Sequence, residues 1–164
     1  MGTHYRGTAD EVRALDSYIK LMRAADSIAA RIERLLKVQG LTISQFGVLE
    51  ALYHLGPMCQ RQLGTKLLKS NGNITTVAEN LERRELIRRV RSEEDRRFVT
   101  VHLTERGEGL IREIFPGHVK TIQGEMNHLS PGDLEELGRL CRDLGRATAR
   151  EQARTRPASG GQDE

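Results

Sequence analysis

A change of hydrophobic period near the middle of the chain restricts the fold more than any other feature. Between residues 74 and 81, apolar side chains recur at helical spacing, on one narrow stripe. Between residues 99 and 103 they alternate with other residues, as in a strand, and the run 86–90 reads as its antiparallel neighbour. The pattern therefore predicts a mainly α fold with a small antiparallel β-hairpin.

The N-terminal segment predicts one helix that is too long for a chain of this size to cover by itself. Apolar residues recur at helical spacing from residue 9 to residue 38. A helix of this length extends about 45 Å, which suggests that a second copy of the chain covers part of it. Gly40 supplies a stop, and a second helix begins with the capping pattern Thr42-x-x-Gln45.

A short helix, a tight turn and a second helix precede the predicted hairpin, which is the order of a winged helix-turn-helix. A DNA major groove about 12 Å wide accepts one helix that shows hydrogen-bonding side chains to the base edges. A polar helix face taken alone is more often an ordinary solvated surface, but the hairpin that follows favours the DNA interpretation. The candidates for base reading are Ser70, Asn71, Asn73, Thr75, Thr76 and Asn80.

The predicted hairpin is unusually rich in arginine. Residues 82–97 contain seven arginines and five acids, and residues 60–112 carry a net charge of +4 within a chain whose total is +3. Guanidinium groups suit phosphate contacts, and they can enter a narrow minor groove. Asp95 at the tip is expected to orient a neighbouring arginine by ion pairing. The alternative is an exposed ion-pair cluster without a partner. The candidates for backbone or minor-groove contacts are Arg61, Lys69, Arg88, Arg89, Arg96 and Arg97.

Two further helices are predicted after the hairpin. Thr104 caps the first, which contains Pro116 and is expected to kink there because proline removes a backbone hydrogen bond. Ser130 starts the second, and Cys141 lies on its apolar stripe and is expected in the core. Periodicity is lost at Glu151, so residues 151–164 are expected to form a disordered tail.

Composition and motifs exclude several classes of protein. The length of 164 residues suits one domain, and two cysteines provide neither a disulfide framework nor a metal cage. The five histidines show no metal-ligand spacing, and no nucleophile elbow, glycine-rich phosphate loop or carboxylate pair is present. No signal peptide and no apolar run of about 18 residues is found. We therefore expect a soluble, cytoplasmic protein that is not an enzyme and that binds no metal or cofactor.

Three stretches of this chain resemble the MarR family of winged-helix transcriptional regulators. They are LTISQFGVLEAL, SNGNITTVAENLERRELI and EEDRRFVTVHLTERG, and the resemblance covers residues 10–148. The most specific part is Asp95-Arg96-Arg97, followed by the strand-to-helix motif Val101-x-Leu103-Thr104-x-x-Gly107. The chain departs from the family pattern at Glu85, where Gly usually ends the recognition helix. Gly takes the left-handed conformation that ends a helix without strain. Glu85 therefore suggests that the turn from the recognition helix to the following hairpin, called the wing in this family, is shifted.

The resemblance implies how the chain is divided. It implies a DNA-binding lobe over about 42–104, in which residues 73–84 form the recognition helix and Arg97 is the wing arginine that approaches the minor groove. It also implies a homodimer whose N- and C-terminal dimerisation helices, about 9–38 and 105–150, intertwine.

A homodimeric repressor is the function that these features favour, bound to a pseudo-palindromic operator on double-stranded DNA and released by a small organic effector. His118 follows the predicted kink, where family members hold ligands, although a surface or helix-packing histidine is the simpler interpretation. Cys59 starts a helix beside Arg61, where a thiolate is favoured, so a thiol-based redox sensor is an alternative. A winged-helix module that binds an acidic protein partner is the alternative from another class.

Overall fold

The structure is a computed structural model that describes residues 2–91 and 99–155, without the side chains of Asn71 and of residues 148–155. The chain consists of two compact units, Met1–Gln123 and Gly124–Glu164. The described residues form six helices: α1 (Ala9–Lys37), α2 (Ile43–Leu55), α3 (Gln60–Lys66), α4 (Asn71–Arg83), α5 (Glu105–Met126) and α6 (Pro131–Thr155). They also form three strands: β1 (Met58–Cys59), β2 (Ile87–Arg91) and β3 (Val99–Leu103).

The three strands form one antiparallel sheet in the order β1-β3-β2. The predicted hairpin is confirmed, with Ile87 opposite Leu103 and Arg91 opposite Val99. The sequence analysis missed β1, in which Met58 and Cys59 pair with Val101 and Thr100. A strand of two residues is too short to show alternation, so no local signal could have revealed it. The predicted mainly α winged helix-turn-helix fold is confirmed.

Side-chain caps begin the helices at the predicted positions. The Thr42 hydroxyl accepts from the Gln45 backbone N–H at 3.2 Å, and the Gln45 side chain accepts from the Thr42 N–H at 3.0 Å. The Gly107 N–H donates to the Thr104 hydroxyl at 3.1 Å, and the Asp133 N–H donates to Ser130 at 3.2 Å. These contacts satisfy amide groups that have no partner within their own helix.

Three helices end with the same backbone turn. At the end of α1, Gly40 has φ 63°, the Leu41 N–H donates to the Leu36 carbonyl at 3.1 Å, and the Gly40 N–H donates to Lys37 at 3.0 Å. This is a Schellman motif. Leu68 (φ 52°) occupies the position of Gly40 after α3, and Glu85 (φ 58°) occupies it after α4. Glu85 therefore adopts the left-handed conformation that Gly usually takes at this position. The expected shift of the turn between α4 and the wing is not found.

The core of the first unit joins five helices to the sheet. Fully buried side chains come from the end of α1 through α2, α3, α4, both long strands and α5: Leu36, Leu49, Leu63, Ile74, Leu81, Ile87, Val101 and Ile111. Gly107 on α5 lies so close to the strand that a Cβ there would stand 1.9 Å from the Leu86 carbonyl oxygen. The first turn of α5 therefore approaches the start of β2 at a distance that only glycine permits.

The end of α6 differs from the prediction. The helix continues to Thr155, so the predicted tail 151–164 begins within it, and residues 156–164 lie outside the described residues. Residues 151–154 (Glu-Gln-Ala-Arg) are strong helix formers that extend a helix without an apolar stripe.

Cys141 is exposed, so its predicted place in the core is wrong for the single chain. Among residues 124–155, the part of the second unit that the structure describes, α6 is the main element, and no second layer of that unit covers its apolar stripe. The helix α5 runs through Pro116, and the predicted kink there stays a prediction.

Candidate nucleic-acid interface

The exposed face of α4 carries polar side chains at helical spacing. Thr76 and Arg83 are exposed and Asn80 is half-buried, and these three positions follow each other by four and three residues. The opposite face is the buried stripe that includes Ile74 and Leu81. The Asn80 side-chain oxygen accepts from the Arg83 guanidinium, which leaves the Asn80 amide N–H groups free of that contact. One side of α4 thus packs against the core of the domain, and the other side presents hydrogen-bonding groups to the solvent.

The other residues predicted to read bases lie in different settings. Ser70 is the N-cap of α4, and its hydroxyl accepts from the Asn73 N–H at 3.3 Å. Asn73 is exposed in the first turn, and Thr75 is half-buried at the edge of the polar face. The Thr76 hydroxyl donates to the Gly72 carbonyl at 3.2 Å, so its methyl group is the freer part of the side chain. The side chain of Asn71 lies outside the described residues.

Arg89 on β2 is held by the acidic side of α4. Its Nε donates to Glu82 Oε2 at 2.8 Å, one terminal nitrogen lies 2.7 Å from the same oxygen, and its backbone N–H donates to Glu82 Oε1 at 3.0 Å. The other terminal nitrogen is 3.9 Å from Glu79. The guanidinium therefore joins α4 to the strand that follows it, and it offsets two negative charges on α4.

The Arg89 contact shifts the ionisation of Glu82. Hydrogen bonding to the guanidinium lowers the pKa of the Glu82 carboxyl below its ordinary value of 4.5, and partial desolvation opposes this shift. The carboxylate form, which the ion pair requires, is thus favoured over the whole neutral range. Sequence reasoning missed Glu79 and Glu82 as partners of Arg89, although their spacing of three residues places both on one side of α4.

The structure separates two arginines that the sequence analysis grouped together. Arg88 is exposed and Arg89 is half-buried, and neighbouring residues of a strand point to opposite faces of the sheet. Arg61 and Lys69 are exposed on α3 and in the turn before α4. Arg61 also lines an open groove of about 510 Å³ together with Met58, Gln62, Thr65 and Lys66. Asp95, Arg96 and Arg97 at the predicted wing tip lie outside the described residues.

His118 belongs to a cluster of aromatic and imidazole rings between α2 and α5. Its ring centroid is 4.6 Å from that of Phe46 and 6.1 Å from that of Phe115, and the rings of His54 and Phe115 meet edge to face with their centroids 4.7 Å apart. Among the described residues, none is a hydrogen-bond partner of the buried Nδ1 atom of His118. Sequence reasoning found His118 but missed Phe46 and His54, because the pairing of α2 with α5 spans more than 60 residues of sequence.

Cys59 is half-buried at the start of α3, where its backbone N–H donates to Gln62 Oε1 at 2.9 Å. Its role in redox sensing stays a prediction. Within residues 2–91 and 99–155, no three His, Cys, Asp or Glu side chains are grouped as a metal site. Across those same residues, no helix combines the length and the apolar character needed to cross a bilayer.

Comparison with known proteins agrees with this architecture. Residues 41–99 match the model of the MarR family. The chain is 36% identical to the HTH-type transcriptional regulator MhqR of Bacillus subtilis over 133 aligned residues. These residues make up 81% of this chain and 92% of MhqR. Such relatives are transcriptional regulators and not enzymes, which confirms the prediction that this chain is not an enzyme.

Solved structures share the fold. AbsC, a MarR family transcriptional regulator from Streptomyces coelicolor, superposes with a TM-score of 0.80 at 24% identity, over 88% of this chain and 99% of AbsC. BpsR of Bordetella bronchiseptica, whose DNA binding is regulated by 6-hydroxynicotinic acid, superposes with a TM-score of 0.73 at 26% identity, over 79% of this chain and 98% of BpsR. By its sequence relatives and its fold, the chain belongs to the MarR family of transcriptional regulators.

Proposed function

We propose that this regulator is a homodimeric repressor that reads double-stranded DNA with α4 and leaves it when a small effector binds. The observation that carries the proposal is the two-sided character of α4. Its apolar stripe is buried in the domain, while Thr76, Asn80 and Arg83 follow one another on the outer side. A helix with this division suits the major groove, where side chains contact base edges.

Within this proposal the polar residues have different tasks. Asn73, Thr75, Thr76 and Asn80 contact base edges, together with Asn71, and Ser70 fixes the start of the helix as its N-cap. Exposed Arg61, Lys69 and Arg88 bind phosphates, and Arg96 and Arg97 act from the wing, with Asp95 orienting one of them. Arg89 does not bind phosphate in this proposal, because its guanidinium is bonded to Glu82. It holds β2 against α4 instead.

The homodimer is supported by apolar side chains that the single chain leaves exposed. On α1 these include Leu15, Tyr18, Leu21 and Met22, and on α6 they include Leu137, Leu140 and Leu144. We therefore propose residues 42–104 as the DNA-binding lobe and residues 9–38 and 105–150 as dimerisation helices. Two recognition helices about 34 Å apart then occupy successive major grooves of a pseudo-palindromic operator.

The ring cluster around His118 supports the effector part of the proposal. Phe46, His54, Phe115 and His118 supply stacking surfaces, and the buried Nδ1 of His118 supplies a polar group for a ligand. BpsR is a fold relative that responds to a small aromatic acid. An effector acts by favouring a spacing of the two lobes that no longer fits the DNA.

An electrophoretic shift with a random duplex tests DNA binding directly. We expect a shift that weakens steeply with salt, because arginine–phosphate contacts release counterions. Arg97→Ala is expected to weaken operator and random duplex alike, whereas Thr76→Ala is expected to change the preference among sequences. No shift at moderate salt contradicts the proposal and favours a module that binds an acidic protein.

A further inference from the structure

Three consecutive residues after the recognition helix contact the ends of two other helices. Arg84 bonds to the segment that ends α1, and Glu85 and Leu86 bond to Thr104 at the start of α5. We refer to residues 84–86 as the junction. No role for Arg84 followed from its sequence pattern, because its partners lie 44 and 45 residues away.

Arg84 is the link from the junction to α1. One terminal nitrogen donates to the Gly40 carbonyl at 2.7 Å, and the other donates to the Gln39 carbonyl at 3.0 Å. These carbonyls lie just beyond the C-terminus of α1, where the helix dipole favours a positive charge. A guanidinium that spans two carbonyls restricts orientation more than a single ammonium does, because its donors are fixed in one plane.

Thr104 is the link from the junction to α5. Its hydroxyl donates to the Glu85 carbonyl at 2.6 Å, and its backbone N–H donates to the Leu86 carbonyl at 3.2 Å. The close approach of Gly107 to the Leu86 carbonyl oxygen lies beside these hydrogen bonds. The ion pair of Arg106 with Glu85 is exposed on both sides and adds little.

From these contacts we infer that the junction sets the orientation of α4 relative to α1 and α5, and that Arg84 and Thr104 are its positioning residues. The inference rests on the proposed function, in which α1 and α5 carry the dimer and α4 reads DNA. Under that function the junction transmits a movement of the dimerisation helices to the recognition helix. It thereby determines which half-site spacing the dimer accepts.

The first test measures orientation without DNA. Residual dipolar couplings of backbone amides in the full chain report the relative orientation of α1, α4 and α5. In the wild type, one alignment tensor is expected to fit all three helices. In Arg84→Met, α4 is expected to need a separate tensor from α1, with an intermediate result for Arg84→Lys. Arg83→Met is the matched control, because Arg83 bonds to Asn80 on its own helix.

Thr104→Val and Thr104→Ser form a second pair that probes the other link. Val keeps the shape and volume of the Thr side chain but has no hydroxyl, whereas Ser loses a methyl group and keeps the hydroxyl that bonds to Glu85. We expect Val to release α4 from α5 and Ser to restore the wild-type orientation. Couplings that fit one tensor in folded Arg84→Met and Thr104→Val overturn the inference.

The second test measures half-site spacing on DNA. Duplexes carry two selected half-sites at the best spacing, or at spacings changed by one or two base pairs. Arg84→Met is expected to lower the preference for the best spacing by about threefold to tenfold. Arg83→Met is expected to weaken binding at all spacings alike. An unchanged spacing preference in folded Arg84→Met overturns the inference. If the wild type binds no duplex, the proposed function fails, and the couplings alone decide whether the junction holds α4.

Discussion

Gly40 and Glu85 have the same left-handed backbone conformation, with φ 63° and 58°, at the ends of the two helices that Arg84 joins. Each residue closes a Schellman motif, so the chain leaves α1 and α4 by the same turn. Glycine takes this conformation freely, whereas glutamate is strained in it. The strained turn lies at the point where the recognition helix meets the wing strand and α5.

Leu68→Gly is expected to stabilise the protein by about 0.5–1 kcal/mol, because it relieves the same strain after α3. Leu68 is 92% exposed, so its replacement removes almost no buried apolar surface. Urea unfolding measures the free energy of unfolding. Leu68→Ala keeps the Cβ atom and is the control. Equal stabilities of the Gly and Ala variants contradict the assignment of strain to this residue.

Gly107→Ala is expected to destabilise the protein by about 2–3 kcal/mol, because the new methyl group meets the Leu86 backbone carbonyl. Gly109→Ala is the matched control two residues along the same helix, where a Cβ meets nothing within 4 Å. That change is expected to stabilise α5 by about 0.5–1 kcal/mol, because alanine favours a helix. Thermal unfolding of both variants checks the pair, and a mild effect at Gly107 is incompatible with the close approach.

Glu82→Gln is expected to lower stability at neutral pH by up to about 1 kcal/mol, a modest effect because the pair with Arg89 is only partly buried. The pKa of Glu82 is lowered in the folded chain, so its contribution is present above the ordinary value of 4.5. The contribution is lost as the pH falls through the lowered pKa. The difference between wild type and variant should therefore disappear in acid, as chemical denaturation at several pH values can show.

Glu79→Gln is the control for this pH dependence. Its carboxylate lies 3.9 Å from Arg89 and its side chain is 51% exposed, compared with 35% for Glu82. Its effect on stability should be smaller at every pH. A stability difference for Glu82→Gln that persists unchanged at low pH contradicts a role for the ionised carboxylate.

The sequence predicted the elements whose signals are local. The caps at Thr42, Thr104 and Ser130 and the alternation of residues 99–103 each depend on residues a few positions apart, and all of these elements form. The pairing of Met58 and Cys59 with the hairpin could not be predicted, because it depends on a strand more than 40 residues later.

The packing of the candidate site could not be predicted from the sequence. Sequence reasoning treated Arg88 and Arg89 alike as phosphate contacts, although the pleat of a strand directs them to opposite faces. Which of them meets Glu82 depends on how β2 packs on α4, which is a tertiary property. For the same reason, the contact of Arg84 with the end of α1 could not be predicted, because Gln39 lies 45 residues away in sequence.

Selection of bound sequences from a random DNA pool, with wild type and Thr76→Ala in parallel, tests most directly the claim that α4 reads DNA as part of a homodimer. For the wild type we predict a pseudo-palindromic consensus with half-sites one helical turn apart, about 10 base pairs between centres. For Thr76→Ala we predict altered base preference at symmetric positions of both half-sites, with the spacing retained. Recovery of no enriched sequence, or the same consensus from both proteins, contradicts the claim.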